Sequence, residues 1–407
     1  MVKAVLGGSG WDLLNKQFVI DEIIGLAKKS RREAEERRAQ DDSDRFKSAY
    51  NKHVGRFREE RDRSRSRSRG GSPSRTKSAS SMAPESFLSR LTSPLNADLA
   101  AEGESEEDDA GDAIIVLYIG AASYDNVSNK EAQTKLLQES GCVIKSLNIA
   151  IRDLSKRTMQ AKVNSADVIL FSGGNTLFAM DRCKATGLDE IIRSAAKSGK
   201  VLCGGSAGAN IYFDGCHSDS ANPMSVKNPK PNLSEEKKNN WPYICVRGLG
   251  IFHGILSPHF DKMRESDGLV RCVDADVLLA THCRNETIIG LDHFAALVVD
   301  GSKYKVIAVS GEGGSVSTAR SPCSGMKPET LVEDRSGDPG CWIKRLVIDE
   351  VDGEPSIANV WAGLRGDCKD LFLPPTGKVT IDPRQAKARR QNKDDGEKCT
   401  ASSIKQV

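Results

Sequence analysis

An α/β fold is the architecture this sequence predicts: a doubly wound, mainly parallel sheet with helices on both faces. Three observations predict it. Between residue 113 and about residue 320, short apolar runs alternate with helical patterns, the signature of right-handed βαβ units. Two of the runs end in paired glycines that open straight into helix-like sequence, Phe171-Ser172-Gly173-Gly174-Asn175-Thr176 and Cys203-Gly204-Gly205-Ser206-Ala207-Gly208. Both turns fall at the carboxyl ends of strands, where sites in such folds lie.

The elements follow in order. Residues 1–112 read as a low-complexity, charged arm that is mostly disordered. Within it, Leu13, Leu14, Phe18, Ile20, Ile23, Ile24 and Leu26 have helical spacing, so Trp11–Ala27 is expected to be an amphipathic helix that docks on the core or on a partner. Arg63 to Arg69 alternates arginine and serine and has no apolar surface to bury. It resembles the arginine–serine tracts of splicing-associated proteins. Residues 56–77 therefore offer a contact for nucleic acid or a splicing-type partner, reversible by serine phosphorylation. A solvated basic linker is the competing reading, since no aromatic stacking platform accompanies the tract. Glu102 to Asp112 holds seven carboxylates and reads as a second linker.

The pattern then changes. Ile114–Gly120, Val143–Ile149, Asp167–Phe171 and Lys200–Cys203 read as strands; Lys130–Glu139, Lys156–Val163, Leu177–Lys184 and Glu190–Ser198 read as the helices between them. Val277–Ala280, Thr287–Leu291, Ala295–Val299 and Tyr304–Val309 read as later strands, with a hairpin at Asp300-Gly301. Residues 321–407 form an extension in which Trp342–Ile348 and Ile357–Leu364 are candidate extra strands. From Pro374 onward the polar, basic sequence is expected to be disordered.

Composition narrows the class. The chain has 407 residues and a net charge of +3, which sums a basic and an acidic block and so says little about partners. Eleven cysteines, an odd number without C-x-x-C spacing, argue for free thiols in a reducing compartment rather than a disulfide framework. Cys216-His217 and His282-Cys283 are adjacent pairs, which rarely ligate one ion together, so no metal is expected. No apolar run reaches transmembrane length, and Met1–Trp11 lacks the form of a signal peptide. A cytoplasmic location follows, or a nuclear one through the Arg/Ser segment.

The chemistry centres on Ser206. Gly204 to Gly208 spells G-x-S-x-G, in which small neighbours allow a sharp strand-to-helix turn that exposes the serine hydroxyl. An ordinary glycine-rich turn is the competing reading. A nucleophilic serine needs a base, and His259, in Pro258-His259-Phe260, is the candidate imidazole. The Ala207 amide and an amide of the 173–174 turn are placed to bind an oxyanion. Arg264 and Arg271 follow His259 and suit a substrate carboxylate, with surface solvation as the alternative for each.

Together the segments Ser172–Thr176, Gly205–Asn210, His217–Ser220, Gly248–Gly250 and Ser257–Phe260 resemble the aspartyl dipeptidase family, the serine peptidases of the dipeptidase E and cyanophycinase group. The resemblance covers residues 113 to about 315. It implies a fold like that of class I glutamine amidotransferases, Ser206 as nucleophile, His259 as base, and Gly174 and Ala207 as oxyanion donors. It implies small peptide substrates with an N-terminal aspartate, and no cofactor. One position departs from the family. In Ile289-Gly290-Leu291-Asp292-His293, histidine stands where a glutamate is expected to orient the base. Asp219, by its place in the His217–Ser220 stretch, and Asp292, one residue away, are the candidate acids. A weakened pseudoenzyme that binds partners through the fold and the Arg/Ser segment is the alternative.

Overall fold

The computed structural model describes residues 1–67, 112–230, 232–264, 267–314, 337–348 and 355–390. Met1–Ala34 and Asp112–Val407 form one compact unit, and Glu35–Gly111 a second. In chain order the elements are β1 (Lys3–Gly7), α1 (Trp11–Leu14), α2 (Gln17–Arg67), β2 (Ile115–Ile119), a 3-10 turn at Ala121–Ser123, α3 (Val127–Glu139), β3 (Val143–Ser146) and α4 (Lys156–Ser165). There follow β4 (Val168–Phe171), α5 (Thr176–Thr186), α6 (Leu188–Ser198), β5 (Val201–Gly205), α7 (Ala207–Asn210), β6 (Phe213–Ser218), α8 (Glu235–Asn239), β7 (Ile244–Arg247) and β8 (Phe252–Pro258). The last are α9 (Arg271–Thr281), β9 (Thr287–Leu291), β10 (Ala295–Asp300), β11 (Lys303–Ala308), β12 (Cys341–Ile348), β13 (Pro355–Trp361), β14 (Arg365–Asp367) and α10 (Cys368–Leu371).

Eight strands make the first sheet, in the order β14-β11-β10-β1-β5-β4-β2-β3. The run from β1 to β3 is parallel, and β10, β11 and β14 continue it antiparallel. Alternate residues of each strand face opposite ways. Ala4, Leu6, Leu117, Ile169, Phe171 and Leu202 pack with α4, α5 and α6, while Val5, Val116, Tyr118, Leu170 and Cys203 pack with α1, α3 and the start of α2. Helices thus cover both faces. Polar residues at the helix starts are spent on capping: Asn126, Ser155 and Asn175 each accept a hydrogen bond from the amide three residues on.

A second sheet of six strands runs β13-β12-β9-β8-β6-β7. Its Cys216, Ile244, Leu256 and Ile289 join the main core, and its Cys245, Ile255, Ile288 and Trp342 face α9. The strands expected near 342–348 and 357–364 are β12 and β13, and the hairpin at Asp300-Gly301 joins β10 to β11.

Three expectations are corrected. Met1–Ala34 is not part of a disordered arm. β1 bonds to β5 on one side and β10 on the other, and its buried residues meet helices on both faces. Five residues suffice because their partners come from elsewhere in the chain, which a local reading does not see. Residues 277–280 are helix rather than strand. Within α9, Cys272, Ala275, Leu278 and Leu279 are buried at helical spacing while Val277 is exposed. The stretch after Pro374 is docked as far as residue 390: Asp382 accepts from the Cys245 amide, Gln385 donates to the Cys245 carbonyl, and Arg389 pairs with Asp181. The Arg/Ser tract beyond Arg67, the acidic run as far as Gly111 and residues 391–407 lie outside the described residues.

Candidate active site

Where β5 ends, the chain turns sharply into α7, and Ser206 is the turning residue. Its φ of 55° lies in the left-handed region, an unusual conformation for a side chain other than glycine. The flanking glycines are required by close approach. A methyl on Gly205 would lie 2.1 Å from the Ser9 carbonyl oxygen, and one on Gly208 would lie 2.1 Å from that of Phe171. The glycine turn after β4 borders the serine, since a methyl on Gly173 would come 3.7 Å from Ser206 Cβ. Gly174 has φ 130° and packs against Ala122, and Ala207 opens α7. As the first helical residue, Ala207 has no carbonyl one turn back to receive its amide.

His259 follows β8 and also has positive φ, 50°. Its Nε2 lies 2.9 Å from Ser206 Oγ. The end of β1 holds both residues: the Ser206 amide donates to Gly7 O and the His259 amide to Gly8 O. Burial pushes the proton affinity of His259 well below that of an ordinary imidazole, and the charges of Arg271 and Lys262 push it the same way. The ring is therefore neutral at pH 7 and able to accept a proton.

Behind His259 the site departs from expectation. Its Nδ1 meets Nδ1 of His293 at 2.6 Å, and His293 Nε2 meets Asp12 Oδ2 at 2.8 Å. The His293 amide donates to Asp261 Oδ1 at 2.6 Å, and the Phe294 ring packs edge-on against the His293 ring. Both nitrogens of His259 are thus taken, and neither Asp219 nor Asp292 backs the ring. Asp292 is fully buried, and its Oδ2 accepts from the Gly340 amide at 2.8 Å and Trp342 Nε1 at 3.2 Å, tying β9 to β12. Asp219 sits in the turn after β6, where its carbonyl accepts from the Asn222 amide and its charge acts on Tyr243. The reading of the motif missed Asp12 and the carbonyls of Gly7 and Gly8. The signal was present: Gly7-Gly8-Ser9-Gly10 is a third glycine turn after an apolar run.

The two arginines separate. Arg264 is committed, paired with Asp267, donating to Trp241 O and stacked on the Trp241 and Tyr243 rings. Arg271 is buried. One of its terminal nitrogens donates to His217 O at 2.6 Å, its guanidinium lies over Tyr243, and its Nε has no partner. Asn210 of α7 also reaches His217 O, and its buried Oδ1 is likewise without a partner. Among the described residues no group of three or more His, Cys, Asp or Glu side chains is arranged to hold a metal ion, and no helix is long and apolar enough to cross a membrane.

Parts of the chain are similar to known proteins. Over 81 residues, 20% of this chain and 38% of the relative, the sequence is 38% identical to an uncharacterized peptidase of Listeria monocytogenes. It is 34% identical over 103 residues, 25% of this chain and 36% of the relative, to the uncharacterized peptidase YgaJ of Bacillus subtilis. These matches span little more than a third of each peptidase. A longer match, 25% identical over 319 residues, covers 72% of this chain and 87% of a Trypanosoma brucei brucei protein named G2/mitotic-specific cyclin-1. Among solved structures, a peptidase from an acI-B1 Actinobacterium is 25% identical and covers 48% of this chain and 74% of its own, with a TM-score of 0.34. Residues 108–307, just under half of the chain, match the model of Peptidase family S51, and it is this region that resembles the family.

Proposed function

We propose that this protein is a serine-type exopeptidase that hydrolyses short peptides bearing an N-terminal aspartate. The observation that carries the reading is the pair formed by Ser206, in a strained turn, and a neutral His259 with Nε2 2.9 Å from its hydroxyl. As Ser206 Oγ attacks the scissile carbonyl, its proton passes to His259 Nε2. The carbonyl oxygen becomes an oxyanion, for which the Gly174 and Ala207 amides are the proposed donors. His259 then returns the proton to the leaving amine, and the acyl-enzyme remains on Ser206. A water, deprotonated by the same imidazole, releases the acid. This division of labour matches that of class I glutamine amidotransferase-like folds, with serine in the place of cysteine.

Arg271 supports the preference for aspartate. A buried guanidinium with an unmet donor gains most from an anionic partner, and bidentate carboxylate binding suits its geometry. Arg264 already has Asp267 and is not assigned this role. Labelling by a fluorophosphonate probe together with turnover of Asp-X dipeptides tests the proposal. Wild type should label at Ser206 and turn over; Ser206→Ala should do neither while keeping its thermal transition. Turnover that persists in Ser206→Ala rules the nucleophile out.

A further inference from the structure

When each imidazole carries one proton, the contacts behind His259 allow one arrangement of protons. A carboxylate only accepts hydrogen bonds, so His293 Nε2 must carry the proton in its 2.8 Å contact with Asp12. With one proton on each ring, His293 Nδ1 is bare, so the proton of the 2.6 Å contact between the rings belongs to His259 Nδ1. That leaves His259 Nε2 bare and facing the Ser206 hydroxyl. The chain Asp12–His293–His259–Ser206 therefore sets the one tautomer of His259 in which Nε2 can accept the serine proton. A carboxylate directly behind His259 would do this in one step; here it is done in two.

We propose that Asp12 and His293 are positioning residues that together replace the acid of the catalytic triad. They lock the His259 tautomer and take up its positive charge. When the Ser206 proton moves to His259 Nε2, the His259 Nδ1 proton shifts to His293 Nδ1. One proton enters His259 and one leaves. The charge then rests on His293 against the Asp12 carboxylate, the only formal anion in the chain of contacts. The device is built from distant parts of the sequence. Asp12 stands in α1, placed by the turn that follows β1, while His293 stands in the β9–β10 connection with its amide held by Asp261. Asp12 is half exposed and one ring away from His259, so its effect should fall short of that of a buried acid in direct contact.

This inference rests on Ser206 and His259 being the nucleophile–base pair, and the test separates the two. In an active wild type, Asp12→Asn should lower kcat on the order of 10- to 100-fold with KM nearly unchanged, and Asp12→Glu should restore part of the loss. In a His293→Glu background, the new carboxylate reaches His259 directly, so adding Asp12→Asn should cost less than about twofold. A purely structural Asp12 would cost the same in both backgrounds, and that result overturns the relay while leaving the Ser206 assignment standing. If wild type neither labels nor turns over, the proposed function fails, and nitrogen-15 NMR of the imidazoles still decides the relay. His259 protonated on Nδ1 and His293 on Nε2 at pH 7 supports it, and any other pattern overturns it.

Discussion

Two serine–histidine–acid chains run through this molecule, and they differ in everything except their order. In one, Ser206 meets His259 Nε2 at 2.9 Å, with His293 and Asp12 behind. In the other, Ser257 meets His217 Nδ1 at 2.8 Å, and His217 Nε2 meets Asp274 at 2.8 Å. Ser257 and His217 are fully buried, and Ser257 sits within β8, paired with Gly290 of β9. Its hydroxyl satisfies the ring and has no approach from solvent. Ser206 is held at positive φ on a turn between glycines and is partly exposed. Three side chains in line do not make a nucleophile; under the proposed function the difference is access, since a hydroxyl on a partly exposed turn can meet a substrate and a buried one cannot. The buried chain ties β6, β8 and α9 together and so supports the segment that carries His259.

The largest expected effect breaks the comparison outright. Ser206→Ala or His259→Ala should lower kcat by about 10³-fold or more, as for other members of a nucleophile–base unit. Ser257→Ala should leave kcat within about tenfold and instead destabilise the fold by about 1–3 kcal/mol, because a buried His217 nitrogen loses its partner. Steady-state kinetics beside thermal denaturation distinguish the two outcomes.

A smaller effect sharpens the comparison around the carbonyl of His217. Arg271→Ala should raise KM for Asp-X substrates about 10- to 100-fold and erase the preference over Asn-X, whereas Arg264→Ala should alter that preference less than about threefold. Equal losses in both variants would show that Arg271 has no special role.

The smallest effect concerns pH, and both histidines enter it. Burial lowers the proton affinity of His217 and His259 below the ordinary value of about 6.5. A catalytic base must be neutral, so the acid limb of kcat/KM should lie below pH 6.5. Arg271→Ala removes a nearby positive charge and should move that limb upward. Stability follows the same window. Below about pH 6.5 the unfolded chain binds protons that the folded imidazoles do not, so stability should decline from there toward the lower folded values and stay flat above. Denaturation midpoints from pH 5 to 8 check the sign.

Much of this was legible in the residues. The parallel strands and their helices followed from apolar runs and helical spacing, and the Ser206 turn followed from its glycines. Val277–Ala280 reads as a strand because four consecutive apolar residues fit a strand and a buried helix alike; the burial of Cys272 and Ala275 decides for the helix. β1 was hidden because Ala4-Val5-Leu6 is short and precedes charged sequence.

The local sequence by itself determined what depends on near neighbours: the strand–helix alternation, the caps, the small residues that let Ser206 turn, and an imidazole within reach by motif. Only the tertiary structure decided what completes the site. Asp12 and His293 are separated by 281 positions, and Ser206 and His259 by 53. They meet because β1 lies beside β5 in the first sheet while its terminal carbonyls also receive the amides of Ser206 and His259. A hydrogen-bonded chain of side chains depends on distances of a few tenths of an ångström. Periodicity along the sequence carries no such information, and the packing of β1 between β5 and β10 supplies it.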